Sequence, residues 1–248
     1  MRLQREILKL VLTMLCFAPM SPVWAWDKDS LSQLRPIADQ GNAEAQYFVG
    51  MIHSLGIGGA SRDTKLAFEW FQKSAEGDDP LAAYKIGCFY AGQYPDVVPP
   101  DPEMALRYKL VAAKAGYALA QSDVGGTYYQ RGEFAEAESW WRLAAAQGYP
   151  PAANNLSTMY YLGRGVEPNI QKAYVWFKLA YPSPGRPMDA KATAHLQKLA
   201  KDLIPTEIAA ADKMARRWKT STSALTMAAT NPKPRVEALL ALLVASPN

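Results

Sequence analysis

AQYFVGMIH, residues 45–53, carries the pattern that decides the fold, because related segments recur three more times in the chain. Each copy has an alanine, then four residues later an aliphatic residue followed by glycine or serine, and an aromatic residue or histidine at its end. The copies begin 32 to 38 residues apart and are AQYFVGMIH (45–53), AAYKIGCFY (82–90), AQSDVGGTY (120–128) and AANNLSTMY (152–160). A period in this range is typical of stacked helical hairpins, each of which buries its apolar face against its neighbours.

Each copy is followed by a second, shorter pattern that predicts the partner helix of a pair. It consists of an alanine with an aromatic residue three positions later, which share one helix face, at Ala67-Trp70, Ala105-Tyr108, Ala137-Trp140 and Ala173-Trp176. The glycine of the first pattern lies at the edge of the apolar side, and we expect it to let the second helix approach closely. That close packing outweighs the helix penalty of glycine, which is about 1 kcal/mol.

Capping residues divide the chain at the same places. Asp63, Asp101 and Asn169 each precede a second-helix alanine by four residues, where a side-chain oxygen can accept from orphan backbone amides. Glu133 holds this position in the third copy and is a poorer cap. The glycine-containing loops, such as residues 163–166, are interpreted as turns, since they lack the strand and the Gly-Lys-Ser/Thr ending of a phosphate-binding loop.

With these motifs the chain resembles the Sel1-like repeat (SLR) family, relatives of the tetratricopeptide repeats. The matching segments include IADQGNAEAQYFVG (37–50), AAKAGYALAQSDVG (112–125) and MYYLGRGVEPNIQKAYVWFKLA (159–180). The segment at 202–218 also looks like the closing helix of bacterial members. The resemblance covers about residues 37–181 and implies an all-α fold, a right-handed α/α superhelix (solenoid) of antiparallel helix pairs with helical caps.

The expected organisation has five parts. They are a signal peptide (1–25), an N-terminal helical cap (26–41), four repeats (42–181), a C-terminal helix pair (187–219) and a mobile tail with a short apolar helix (220–248). Of the tail, 220–230 is expected to be mobile because it is rich in Ser, Thr and Ala. The apolar segment 236–245 is expected to dock on the last helix pair, with membrane-surface attachment or partner binding as alternatives.

The first 25 residues predict export. Arg2, Arg5 and Lys9 precede a short apolar stretch, and small residues suit cleavage after Ala25. About a dozen apolar residues fall short of the roughly 20 that a membrane-spanning helix needs. We therefore expect a periplasmic or secreted protein whose mature chain has no transmembrane span.

Nothing in the sequence favours catalysis, a cofactor or a metal. Ser-x-x-Lys and Gly-x-Ser-x-Gly motifs are absent from the sequence, as is a zinc-type Cys/His cluster. His53 takes the position that is tyrosine in the other copies, which predicts a packing role, and His195 has no evident partner. Cys88 is the one cysteine after cleavage, so we expect no intramolecular disulfide in the mature chain. Cleavage would remove three Lys/Arg residues and one Glu, so the formal net charge of +4 would drop to about +2 in the mature chain. That charge is too small for the basic stripe of a nucleic-acid-binding protein.

The side of the first helices opposite the packed one is the expected partner-binding surface. Its positions lie three residues before and four after the glycine or serine, and hold Tyr47, Tyr84, Ser122 and Asn154, then Ser54, Ala91, Tyr129 and Tyr161. Tyrosine combines apolar area with a hydrogen-bonding tip and is enriched at interfaces. We expect partner contacts from Tyr47, Tyr84, Tyr129, Asn154 and Tyr161. The alternative is that the rings pack between adjacent repeats.

The sequence thus predicts a non-catalytic protein–protein interaction scaffold in the periplasm, with a protein or peptide partner on its concave face. The resemblance implies the same surface. The alternative function is an envelope protein that binds or hydrolyses peptidoglycan or β-lactams.

Overall fold

The computed structural model of the chain describes residues 26–181 and 188–245, and the regular structure within these ranges is entirely helical. The prediction of an all-α fold of tandem helix pairs is confirmed, whereas the expected signal peptide lies outside the described residues. The α-helices are α1 (Ser30–Asp39), α2 (Ala43–Leu55), α3 (Thr64–Glu76), α4 (Pro80–Cys88), α5 (Pro102–Lys114), α6 (Ala118–Gln130), α7 (Phe134–Ala146), α8 (Pro150–Leu162), α9 (Ile170–Ala180), α10 (Ala190–Ala200), α11 (Pro205–Arg217), α12 (Ala224–Thr230) and α13 (Lys233–Ala245). A π-helical turn, Phe89–Gln93, follows α4.

The four sequence copies form the hairpins α2–α3, α4–α5, α6–α7 and α8–α9. The side chains of Asp63, Asp101 and Asn169 accept hydrogen bonds of 2.7 to 3.0 Å from amides in the first turns of α3, α5 and α9. Each such cap stabilises its helix by roughly 1 kcal/mol. Within the described chain Glu133 makes no side-chain cap hydrogen bond. The expected helix starts and the weak third cap are therefore confirmed.

The helices assemble into two compact units. One comprises the described residues up to Tyr117 together with 224–245, and the other those from Ala118 to Ser223. Each unit contains two of the hairpins and has its own core. The first core contains the buried rings of Phe48, Phe71 and Phe89, and the second is built around Leu156 and Met159.

The repeated glycines lie where two helices almost touch. A Cβ atom on Gly50 would come within 2.7 Å of the Phe71 ring, and one on Gly125 within 2.6 Å of Trp141 Cδ1. In the fourth copy Ser157 replaces the glycine, and its hydroxyl donates to the Ala173 carbonyl at 2.8 Å. The prediction that this position allows close approach of the second helix is confirmed.

The predicted aromatic residue of the second helix is not always the one in the core. Trp70 and Trp176 are buried, but Tyr108 and Trp140 are only half-buried. In α7 the adjacent Trp141 takes the core position, and its Nε1 donates to the Ser122 carbonyl at 3.0 Å. The aromatic residue in the core of this hairpin thus follows the pattern residue Trp140 by one position, and both tryptophans border the apolar stripe of α7.

The second unit closes with α10 and α11, which pack on α9. The rings of Trp176 and Trp218 meet edge to face with centroids 5.3 Å apart, and Lys178 Nζ pairs with Asp212 Oδ1 at 2.7 Å. These helices occupy the region where the sequence predicts a final pair.

The C-terminal segment contains the two helices α12 and α13. Residues 220–230, expected to be mobile, include the helix α12, whose Thr226 hydroxyl donates to the Gly116 carbonyl at 3.2 Å. The apolar helix α13 packs on α1 of the first unit rather than on the last helix pair. It buries Val236 and Leu239. A cluster of large apolar side chains is available at that place, which the pattern of the tail alone does not reveal.

Cys88 lies buried at the end of α4. The second cysteine of the sequence, Cys16, lies outside the described residues. The expectation that the mature chain has no intramolecular disulfide therefore stays a prediction.

Candidate functional site

In the first unit the two tyrosines expected on the surface are buried. Tyr47 is 7% exposed and Tyr84 is 1% exposed. The ring of Tyr47 packs edge-on against Phe48 at 5.3 Å, and that of Tyr84 stands perpendicular to Tyr117 at 5.1 Å. Their predicted exposure was wrong, and packing of the rings, the alternative from the sequence, is what the structure has at these two positions.

Tyr47 is covered by the C-terminal segment. The guanidinium of Arg235 lies 5.8 Å from the Tyr47 ring centroid and 5.1 Å from that of Phe48. Its Nε contacts the Glu44 carboxylate, and its Nη2 is 3.6 Å from Asp79 Oδ2. Burial raises the pKa of Asp79 above its usual range, although backbone amides and Arg235 lower it. The helical wheel of α2 cannot reveal this cover, because Arg235 is 191 residues from Glu44.

A small cleft remains beside this cover. It is lined mainly by polar and aromatic side chains, among them Tyr47, Tyr84, Lys85, Gln93, Tyr94 and Tyr117. Ala229 of α12 forms part of its wall. Burial lowers the pKa of Lys85 to about 8, so this amine gives up its charge more easily than an ordinary lysine.

In the second unit the expected residues do reach the surface. Asn154 is exposed, and Tyr129 and Tyr161 are half-buried. The Tyr129 ring packs on Phe134 and Trp141, each with centroids 5.3 Å away. Tyr161 also packs against the core, and the groups beside its ring are His195, with centroids 6.3 Å apart, and Lys198, whose Nζ lies 5.3 Å from the ring centroid. The aromatic rings thus combine packing with a solvent-facing edge.

A polar network that the sequence patterns do not predict lies between α7 and α8. The Tyr160 hydroxyl donates to Glu138 Oε1 at 2.5 Å, and Arg142 Nη2 donates to the same hydroxyl at 2.7 Å. Burial alone would raise the pKa of Glu138, but hydrogen bonds from Tyr160 and Arg142 hold it below its usual range. Glu138 and Arg142 form a recognisable i,i+4 pair in the sequence. The third member of the network, Tyr160, belongs to the next repeat.

Neither histidine is arranged for proton transfer. His53 is buried, and its Nε2 has no hydrogen-bond partner among the described residues. The His195 ring lies 4.6 Å from that of Phe177. Burial lowers the pKa of both histidines. At His53 the nearby Asp63 raises the pKa by less than burial lowers it, and at His195 the nearby Lys198 lowers the pKa further. Burial of both rings therefore favours their neutral form.

These pKa values make stability depend on pH. A histidine with a lowered folded-state pKa contributes stability that is present above its ordinary pKa, about 6.5, and lost as the pH falls through the folded value. We expect the urea concentration at the denaturation midpoint to be lower at about pH 5.5 than at about pH 7.5. This difference should be smaller in His53→Tyr, which restores the residue of the other copies. Urea titrations at both pH values measure this. Equal pH dependence in the two proteins would contradict it.

Within residues 26–181 and 188–245, no three His, Cys, Asp or Glu side chains lie close enough together to hold a metal ion. Among the helices of the same residues, none combines the length and the apolar character that crossing a bilayer requires.

Comparison with known families identifies the repeats. The family model described as Sel1 repeat matches residues 43–79, 80–117, 118–149 and 150–181, which together make up more than half of the chain. Each match contains one of the four helical hairpins.

Solved structures and a curated protein are also similar. A crystal structure of a protective antigen present in uropathogenic Escherichia coli strains, which displays an SLR fold, has a TM-score of 0.63 at 25% identity and covers 87% of this chain and 44% of that one. A Sel1 repeat protein from Oxalobacter formigenes gives a TM-score of 0.60 at 27% identity, over 77% of this chain and 80% of its own. Chitin synthase regulatory factor 3 of Schizosaccharomyces pombe is 29% identical over an alignment of 151 residues, and the match covers 56% of this chain and 16% of that protein. The chain therefore spans less than half the length of the E. coli antigen and less than a fifth of the fungal factor.

Proposed function

Because the chain belongs to the Sel1 repeat family, we propose that it is a non-catalytic scaffold that binds a protein or peptide partner. The observation that carries this proposal is the tyrosine surface of the second unit, formed by Tyr129, Asn154 and Tyr161. These residues lie on the first helices of consecutive repeats and reach solvent. Their side chains offer aromatic area together with hydrogen-bonding groups, which is the composition that protein interfaces favour.

The hydroxyl groups of this surface are available to a partner. Within the part of the chain that the structure describes, neither Tyr129 nor Tyr161 has its hydroxyl engaged in a side-chain hydrogen bond, whereas Tyr160 on the other side of α8 donates to Glu138. A buried phenol normally needs a polar partner. Two phenols that face solvent on a rigid helical frame lose little side-chain entropy when a partner covers them.

Site-specific photo-crosslinking in cells tests the surface directly. A photoreactive residue at position 154 or 161 should form a discrete covalent product with one partner, which mass spectrometry identifies. The same residue at position 139, exposed on the second helix α7, should give none. Equal products from all three positions, or none at 154 and 161, would contradict partner binding at this surface.

A substitution measures how much the surface contributes. Tyr161→Ser should weaken capture of the crosslinked partner by at least about tenfold, since tyrosines near the centre of an interface are worth 2 kcal/mol or more. Tyr161 suits this test better than Tyr129, whose ring packs on Trp141 and whose loss would also lower stability. Unchanged affinity with an unchanged melting temperature would place the binding surface elsewhere.

We also propose that the scaffold is exported to the periplasm. Cleavage after Ala25 would leave Trp26 as the first residue, and its buried side chain lies with its ring centroid 5.5 Å from that of Phe48. The new terminus would thus be anchored on α2. N-terminal sequencing of protein from the periplasmic fraction should begin at Trp26. Retention of residues 1–25 in a cytoplasmic fraction would contradict export.

The non-catalytic part of the proposal has its own test. The purified mature protein should not turn over a chromogenic β-lactam above the rate in buffer. Sustained hydrolysis that persists through repurification would favour the envelope-enzyme alternative instead.

A further inference from the structure

The C-terminal segment 224–245 occupies a face of the first unit that large aromatic side chains form. Ala228, Ala229 and Pro232 of the segment lie over this face. The residues beneath them include Trp26, Tyr47, Phe48 and Met51. This face, here called the arginine groove, lies on the same side of α2 where the sequence predicts partner contacts.

One cationic side chain fixes the register of the segment. Arg235 enters between two carboxylates, Glu44 in the first turn of α2 and Asp79 at the N-cap of α4. Its guanidinium also lies over the rings of Tyr47 and Phe48. Two partly buried carboxylates beside aromatic faces form a site with the chemistry for one guanidinium, through charge pairing and cation–π contact.

Two apolar side chains complete the anchor. Val236 and Leu239 are buried, at one and four positions after the arginine. By contrast, α12 has no fully buried residue, and Lys233 and Glu237 of α13 are exposed. The segment is therefore held by a short pattern: an arginine followed by apolar residues at the next position and one helical turn later.

The segment fills the groove imperfectly. Arg235 Nη1 is buried without a hydrogen-bond partner among the described residues, and the 3.6 Å between Nη2 and Asp79 Oδ2 exceeds hydrogen-bond length. A buried donor that lacks an acceptor reduces the benefit of the contact. A helix that places its cation better, or that also enters the cleft beside Ala229, can compete with the segment.

We propose that the arginine groove binds an α-helix of a protein partner that carries this arginine–apolar pattern, and that residues 224–245 occupy the groove until such a helix displaces them. The proposal rests on the proposed scaffold function and adds the chemistry of the partner. Displacement makes partner binding conditional, because the bound segment is tethered at high effective concentration and a competitor has to overcome it.

A peptide-binding experiment on the full chain tests this. The probe is a fluorescein-labelled peptide of residues 224–245, and the releasing variant is Arg235→Glu, which sets a carboxylate against Glu44 and Asp79. Anisotropy titrations should show the peptide binding the variant at least about tenfold more tightly than the wild type, whose groove is filled. A peptide in which glutamate replaces the arginine should bind the variant at least about 30-fold more weakly than the native peptide.

Matched controls distinguish binding of the peptide in the groove from a general loss of structure in the variant. Lys233→Glu changes an equally charged but exposed residue of the same helix, and should bind the peptide as weakly as the wild type does. Circular dichroism should show that Arg235→Glu keeps its helicity. If that variant does not fold, the double variant Val236→Ala, Leu239→Ala releases the segment without the added charge.

Hydrogen exchange supplies a second readout. Addition of the unlabelled native peptide to the wild type should speed amide exchange in the tethered segment while the α2–α3 hairpin stays protected. Equal binding of both peptides, or equal peptide affinity of wild type and released variants, would overturn the proposal. Because this test uses neither position 154 nor 161, its failure would leave the tyrosine surface standing, and an absent crosslink there would not affect the groove.

Discussion

Replacing Leu156 by alanine is expected to lower the free energy of unfolding by about 2–5 kcal/mol, the largest effect among our single substitutions. Leu156 is the aliphatic residue of the fourth copy and is 0% exposed, in the core that α8 shares with α9. Truncation removes its buried area and leaves a cavity that close-packed neighbours fill only in part. Urea denaturation followed by circular dichroism measures the loss.

Leu162→Ala is the matched control for this prediction. Leu162 ends the same helix but is 51% exposed, so its truncation should change the free energy of unfolding by no more than about 0.5 kcal/mol. Both residues are leucines in the same helix, and they differ in burial. Similar losses at both would contradict the assignment of position 156 to the core.

Gly125→Ala is the second large effect and should cost about 1–3 kcal/mol through overpacking. The added Cβ would meet Trp141 Cδ1 at 2.6 Å and Nε1 at 2.7 Å. The indole is buried and cannot swing aside without breaking its hydrogen bond to the Ser122 carbonyl. The α6–α7 hairpin must therefore open slightly, which thermal denaturation would report as a lower midpoint.

The neighbouring glycine gives a control of opposite sign. A Cβ on Gly126 would have no atom within 4 Å, and alanine is the better helix former by about 1 kcal/mol. Gly126→Ala should therefore leave stability unchanged or raise it by up to about that amount. If Gly125→Ala were as well tolerated, close helix approach would not explain the repeated glycine.

The fold was predictable because its information is local. Caps such as Asp63 act within one turn, and the pattern that begins at Ala45 describes burial against the next helix of the same hairpin. The pattern did not reveal which of two adjacent residues enters the core. Trp140 and Trp141 both border one apolar stripe, and the choice between them depends on the position of Gly125 across the hairpin.

The candidate sites were predictable only where no distant segment interferes. Asn154 and Tyr161 reach the surface as the helical wheel indicates. Tyr47 does not, because its cover comes from Arg235 and α12, far along the chain. The apolar residues of α13 identify it as a docking helix. The place where it docks includes the ion pair between Arg235 and Glu44, and a single sequence does not reveal such a pair.

The contact between Glu44 and Arg235 spans 191 residues and has a consequence for biosynthesis. A ribosome adds residues in order, so α2 and its aromatic neighbours emerge long before the helix that shields them. Throughout translation of the intervening repeats, the nascent chain presents an uncovered aromatic patch that chaperones can bind. An mRNA truncated before codon 235 would yield a polypeptide in which that patch stays exposed and accessible to cellular proteases.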